Sequence, residues 1–135
     1  MQFFASLYVI TLPILLVLDV IWLSLAGRTI YAAEIGGLMR GSPNFFVAFL
    51  FYLLFAAGLV WFVIAPAAAQ GSISRTMLTG GFFGLVAYAT YDLTNLATMK
   101  GFTAKIAIID LAWGTIVSAV VSGLALYAAR LFKAI

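Results

Sequence analysis

The chain has 135 residues, of which 66% are hydrophobic and only 8% are charged, and its formal net charge is +3. A soluble domain carries roughly a quarter charged residues, so this chain has too few polar side chains to cover a surface in water. It has no cysteine and no histidine, which excludes disulfides, thiolate chemistry and histidine-based metal sites. The basic residues are scattered at the ends of apolar runs, which suits the flanks of membrane spans and argues against a nucleic-acid partner.

Four long apolar runs predict helices that span a membrane. They cover about residues 3–26, 45–65, 76–98 and 104–131, and each is long enough to cross roughly 30 Å of hydrocarbon at about 1.5 Å per residue. The continuous runs lack the alternation typical of a β-barrel. The sequence therefore predicts an all-α integral membrane four-helix bundle, which forms a single membrane domain over residues 1–135.

The connections between these runs differ. The first mixes apolar residues with Arg28 and Glu34, which predicts a short interfacial helix between spans one and two. Ser42 directly before Pro43 predicts the start of the second span, with the serine as the cap. The connection at residues 99–102 is tight, so we expect spans three and four to be antiparallel neighbours.

The basic residues do not decide the orientation of the bundle. We call the membrane face with both termini side A and the opposite face side B. Side A holds Arg75, Arg130 and Lys133, and side B holds Arg28, Arg40, Lys100 and Lys105. Three against four is too even for the positive-inside rule. A family that relies on other cues, or a protein that inserts both ways, would each give this balance.

Three of the four acidic residues lie inside the predicted spans. Asp19, Asp92 and Asp110 each lie roughly 8–11 Å from the side-B end of their helix. Ionisable side chains are costly in lipid and usually face the bundle interior or a wet cavity. Gly114 and Ser118 follow Asp110 at four-residue intervals, and small residues of this kind mark the packed face of a membrane helix. We therefore expect the three carboxyl groups to converge on a shared cavity.

Aromatic and polar side chains at a similar depth are candidates to line this cavity. An Asp-x-x-Trp pattern occurs at Asp19 and again at Asp110, and side chains three residues apart share one face of a helix. The indole N–H could donate to a carboxylate, although each tryptophan would also serve as an interfacial anchor. The predicted binding residues are Trp22, Tyr52, Tyr88, Tyr91, Asn95 and Trp113, with Asn95 as the expected neutral partner of Asp92.

The aspartates leave several chemical roles open. Asp19, Asp92 and Asp110 are the candidate catalytic residues, because a buried cluster of carboxyl groups can share a proton or act as a general acid and base. We predict no metal and no cofactor; a metal ion, if bound, would be a hard cation on these three carboxylates. The alternative is a polar network that only holds the helices together.

Three segments around the aspartates resemble a known family. They are LDVIWL at residues 18–23, YDLTNLATMKGF at residues 91–102 and IIDLAWGT at residues 108–115. These segments are similar to those of small predicted bacterial membrane proteins classed as a domain of unknown function. The resemblance covers nearly the whole chain. It implies a multi-pass four-helix protein of the bacterial inner membrane, and it implies no activity, substrate or catalytic residue.

Three hypotheses for the function follow. The first is a membrane protein that binds or acts on a lipid-like molecule near side B, because carboxyl groups beside an apolar slot suit a lipid head. The second is a small transporter coupled to protons or cations. The third is a structural or regulatory subunit without a site of its own. Membrane lipid is an expected partner in each case, and a homo-oligomer is a possible one because four short helices enclose little volume.

Overall fold

The apolar runs fold into helices, because backbone groups in hydrocarbon must form their hydrogen bonds within the chain. The computed structural model describes residues 1–135 and contains no strand. We number its helices α1 (Gln2–Leu38), α2 (Phe45–Ala67), α3 (Ile73–Thr98) and α4 (Ala104–Leu131). Two of them include a wider π-helical turn, at Gly27–Tyr31 in α1 and at Val60–Ile64 in α2. The prediction of an all-α bundle is confirmed.

Three of the four helices qualify as membrane spans. By length and composition α1, α2 and α4 are apolar enough to cross a membrane. Helix α3 has 26 residues and is therefore long enough, but its glycine, threonine and tyrosine residues make it more polar than the others. The assignment of α3 as a further span stays a prediction.

The predicted interfacial helix is the last part of α1 and not a separate element. The chain stays helical through Gly27–Tyr31 and ends in a 3₁₀ turn at Gly36–Leu38. We call residues 27–38 the side-B extension. Its Ile30 and Ile35 pack against a small apolar cluster around Ile106, so the extension covers the side-B end of α4.

Polar contacts of Glu34 hold the side-B extension in place. Thr103 Oγ1 donates to Glu34 Oε2 at 2.7 Å, and Lys105 Nζ lies 3.5 Å from Glu34 Oε1. Thr103 is also the N-cap of α4, where its Oγ1 accepts from the backbone N–H of Ile106 at 3.2 Å. The same residues therefore end the α3–α4 turn and fix the extension above it.

The predicted N-cap of α2 is wrong by two residues. The cap is Asn44, whose Oδ1 accepts from the backbone N–H of Val47 at 3.3 Å, and not Ser42. Asparagine caps a helix as well as serine does, and Asn44 has the extended backbone that a cap requires, with φ −83° and ψ 95°. Pro43 therefore precedes the cap instead of following it.

Helices α3 and α4 are closely packed antiparallel neighbours, as predicted. Gly101 makes the tight turn between them with φ +85°, a conformation that favours glycine. Farther along, Gly80 and Gly84 face Ser122 and Ser118 of α4. A Cβ atom at Gly84 would collide with Ser118 Oγ and with the backbone oxygen of Gly114, so the two backbones approach each other more closely than larger residues would allow.

Helix α2 contacts α3 mainly on its side-A half, at Val60–Ile64. At that end the Arg130 guanidinium donates to the carbonyl oxygens of Ala67 at 3.2 Å and Gly71 at 2.8 Å, which satisfies acceptors left free at the end of a helix. Towards side B aromatic rings bridge the space, as in the pair Phe55 and Tyr88 with centroids 6.0 Å apart. The backbones of α2 and α3 are therefore close at one end only.

The close approach of α3 and α4 gives a stability prediction. Replacing Gly84 by alanine should lower the free energy of unfolding by about 1–3 kcal/mol, because the added methyl group has no room. Unfolding in a graded mixture of nonionic detergent and dodecyl sulfate measures this change. Gly27→Ala is the matched control: a Cβ atom there meets nothing within 4 Å, and stability should be unchanged or slightly higher. Equal stability of both variants would contradict the tight interface.

Candidate functional site

All three intramembrane aspartates face the interior of the bundle. The exposed fraction of Asp19 in α1 is 5%, that of Asp92 in α3 is 0%, and that of Asp110 in α4 is 8%. None of them faces lipid. Their side chains differ, however, in the partners that the surrounding helices provide.

Asp19 has a hydrogen-bond donor for each carboxylate oxygen. Tyr52 of α2 donates its hydroxyl to Asp19 Oδ2, and Trp113 of α4 donates Nε1–H to Asp19 Oδ1 at 2.8 Å. The indole thus serves the aspartate of a neighbouring helix and not the one in its own Asp-x-x-Trp segment. Asp19 links three helices, and each of its oxygens has a donor within the chain.

Asp110 takes its donor from the side-B extension of α1. The Tyr31 hydroxyl donates to Asp110 Oδ1 at 2.5 Å, and Trp22 Nε1–H donates to the Tyr31 oxygen at 3.1 Å. Trp22 also stacks on Trp113, with ring centroids 4.6 Å apart and planes 9° from parallel. Both tryptophans therefore act inside the polar network and not as anchors at the membrane surface.

Tyr31 is absent from the predicted site residues, because the sequence predicts it in an interfacial helix beyond the first span. The apolar positions of residues 27–38 did indicate a helix. What the sequence does not encode locally is that α1 continues through a π-helical turn and lies over Ile106 and Phe102. That packing brings the Tyr31 hydroxyl to Asp110.

Asp92 is fully buried, and its one hydrogen-bonding neighbour is the Asp110 carboxyl group, which can bond to it only when one of the two carries a proton. Its carboxyl group lies against that of Asp110. Carboxylate oxygens only accept hydrogen bonds, so two of them in contact require a proton or a cation between them. The expected partner Asn95 forms no hydrogen bond with Asp92; its partly exposed side chain lies near Tyr91 instead.

The three aspartates do not form one cation site. No group of three carboxylates is arranged so that it could hold a metal ion, and the conditional prediction of a hard cation on Asp19, Asp92 and Asp110 together is wrong. The physical reason is that Asp19 is occupied by Tyr52 and Trp113. Only Asp92 and Asp110 face each other.

A cavity of about 330 Å³ opens beside this pair. Its lining residues are Phe51 of α2, Ala87, Tyr88 and Tyr91 of α3, and Asp110 of α4. Of the predicted binding residues only Tyr88 and Tyr91 line it, whereas Trp22, Tyr52 and Trp113 belong to the hydrogen-bond network. The sequence predicts a cavity shared by three aspartates. In the structure only Asp110 lines the cavity, and Asp92 is buried behind Asp110.

A second cavity, of about 550 Å³, continues from the first between α2 and α3. The two share Phe51 and Ala87, and the second is otherwise almost wholly apolar, with Trp61 and Phe62 at its far end. On α2 the distance from Phe51 to Phe62 corresponds to roughly 16 Å. We call the two cavities together the α2–α3 groove. It exists because α2 and α3 approach closely only near side A.

The rims of the α2–α3 groove are apolar and face outward. Leu54 is 74% exposed and Phe62 is 65% exposed, which is the surface expected towards lipid. The polar end of the groove is the Asp110 carboxyl group. An apolar chain entering sideways from the membrane would therefore meet a carboxyl group at one end of its path.

Comparison with known proteins agrees with this architecture. A family model described as "Predicted membrane protein (DUF2177)" matches residues 4–127. The chain belongs to this family. The matched region contains all three aspartates and the whole α2–α3 groove, and the resemblance of the segments around the aspartates is thereby confirmed. No curated protein and no solved structure matches this membrane protein.

The hydrogen bonds of Asp19 give a second stability prediction. Tyr52→Phe removes the donor to Asp19 Oδ2 and should lower the free energy of unfolding by about 1–2 kcal/mol, because a buried acceptor is left unsatisfied. The same detergent titration measures it. Tyr127→Phe is the control, since Tyr127 is 54% exposed and should have no effect. If Tyr52→Phe is as stable as the wild type, Asp19 does not tie the helices together.

Proposed function

We propose that this protein binds an amphiphilic, lipid-like molecule in the α2–α3 groove. The apolar chain of the ligand lies between α2 and α3, and its polar head lies at Asp110. In this proposal the protein is a four-span protein of the bacterial inner membrane, with α3 as the fourth span, and the site lies near side B.

One observation carries the proposal. An apolar groove that faces lipid ends at the Asp110 carboxyl group, and the adjacent Asp92 has no hydrogen-bond donor in the chain. Ligand sites are mostly apolar clefts of roughly 300–1,000 Å³ with a few polar groups that fix the orientation of the ligand. The two parts of the groove, about 330 Å³ and about 550 Å³, fit that description. The wide apolar part suits a hydrocarbon chain and is unsuited to a water-soluble molecule.

The packing of the side-A half favours the binding-site hypothesis and argues against a path across the membrane. There Leu7, Leu59, Val117 and Val121 are buried at 3% exposure or less in one apolar cluster. This core leaves no continuous channel along the bundle axis, which argues against an open path across the membrane. A purely structural subunit would satisfy its carboxyl groups as Asp19 does, whereas Asp92 is left without a donor.

Filling the groove tests the proposal. Ala87 lines both parts of it, so Ala87→Trp should block ligand entry and lower binding at least about tenfold, a loss of roughly 1.4 kcal/mol. The measurement is crosslinking by a phospholipid with a photoreactive group in its acyl chain, followed by mapping of the labelled residues. In the wild type the label should fall on α2 and α3 around Phe55 and Phe83.

Leu124→Trp is the matched control. Leu124 lines a smaller apolar depression of about 220 Å³ between α3 and α4 that has no carboxyl group. This variant should keep the labelling of the groove, while both variants run as folded protein in size-exclusion chromatography. Unchanged labelling around Phe55 in folded Ala87→Trp would show that the groove is not a binding site.

A further inference from the structure

The buried aspartates have no cationic partner in the chain. The only ion pair is that of Lys105 with Glu34, at 3.5 Å, and it lies outside the α2–α3 groove. Arg130 is engaged with the carbonyl groups at the side-A end of α2. Isolated charges in a low-dielectric interior are strongly unfavourable, so the Asp92–Asp110 pair requires a positive charge or a proton from elsewhere.

The polar end of the groove offers carboxyl oxygens, aromatic rings and the neutral hydroxyl groups of Tyr88 and Tyr91, and it has no cationic side chain. Asp110 Oδ1 is engaged by Tyr31, and no protein donor reaches its Oδ2 or either oxygen of Asp92. The remaining walls are the rings of Phe51, Tyr88 and Tyr91. No arginine or lysine lines either part of the groove, and an anionic head such as a phosphate would meet carboxyl groups without a counter-charge.

Carboxyl groups beside aromatic rings are the surroundings that an ammonium group prefers. A cation within about 6 Å of a tyrosine or phenylalanine ring is attracted to its face, and the attraction reaches roughly 2 kcal/mol when water is excluded. A carboxylate adds a charge-assisted hydrogen bond to an amine. Both contributions are available at the same end of the groove, and neither is available to a phosphate or a sulfate.

From this we infer the ligand class: the molecule in the α2–α3 groove is a cationic amphiphile, with an amine or quaternary ammonium head between Asp110, Tyr88 and Tyr91 and an alkyl chain between α2 and α3. This inference rests on the proposed function and narrows it. The ammonium group supplies the positive charge that the Asp92–Asp110 pair lacks, and the chain fills the apolar part of the groove.

The test compares three probes that share one alkyl chain and differ only in the head: hexadecylamine, hexadecanol and hexadecyl phosphate. Each is added to the purified protein in a nonionic detergent, and bound probe is counted by native mass spectrometry. Partition of a probe into the detergent is the same for every variant, so the ratio between wild type and variant isolates the contribution of the protein. Hexadecylamine should bind the wild type at least about tenfold better than hexadecanol, and hexadecyl phosphate should bind worst.

Substitutions show which residues cause the preference for the amine probe. Asp110→Asn should bring the amine to the level of the alcohol and leave alcohol binding unchanged, and Asp92→Asn serves the same purpose if the first variant does not fold. Tyr91→Leu removes an exposed ring of the site and should reduce amine binding severalfold. Tyr127→Leu is the matched control for Tyr91→Leu, because it removes an exposed ring outside the groove and should keep the full preference for the amine.

Each outcome decides between the two proposals. Equal binding of amine and alcohol to the wild type, both lost in Ala87→Trp, would overturn the cationic head and leave the groove as a binding site. Amine preference that persists in both Asp110→Asn and Asp92→Asn would also overturn it. Binding of every probe that is unaffected by Ala87→Trp would overturn the proposed function itself.

Discussion

A carboxyl group inside a membrane needs a donor, a proton or a cation, because hydrocarbon supplies none of them. The arrangement of this bundle follows from the three ways in which its aspartates meet that need. Asp19 receives two donors from two other helices. Asp110 receives one donor, from Tyr31, and borders the α2–α3 groove. Asp92 receives none and lies against Asp110. Similar predicted depths have therefore not produced equal chemistry.

Depth and helix type could be predicted from the sequence, because both depend on quantities that a single helix fixes. The rise per residue places Asp19, Asp92 and Asp110 near one level, and their charge directs them inward. Their partners depend on how separate helices pack, which no local pattern encodes. Trp113 thus donates to Asp19 and not to Asp110 in its own segment, Asn95 forms no hydrogen bond with Asp92, and Tyr31 arrives from outside the predicted span.

The groove is a consequence of the same packing that stabilises the bundle. Glycines on α3 bring it against α4, with the Tyr88 ring seated directly over Gly114, and this contact sets Asp92 against Asp110. Helix α2 is fixed at the opposite end, where Arg130 closes its last turn. Helix α3 packs against α4 along its length, whereas α2 is held near side A, and the space left between α2 and α3 towards side B opens beside the carboxyl pair.

The difference between Asp19 and the Asp92–Asp110 pair explains why only one part of the network is suited to a ligand. A carboxylate whose oxygens are both satisfied gains little from a further partner, and breaking its hydrogen bonds to admit one would cost stability. A buried pair without enough donors is already unfavourable, so a cation that reaches it recovers the free energy that burial has cost. The affinity for an ammonium head would then come from the incomplete hydrogen bonding of the Asp92–Asp110 pair, which the head reaches through Asp110.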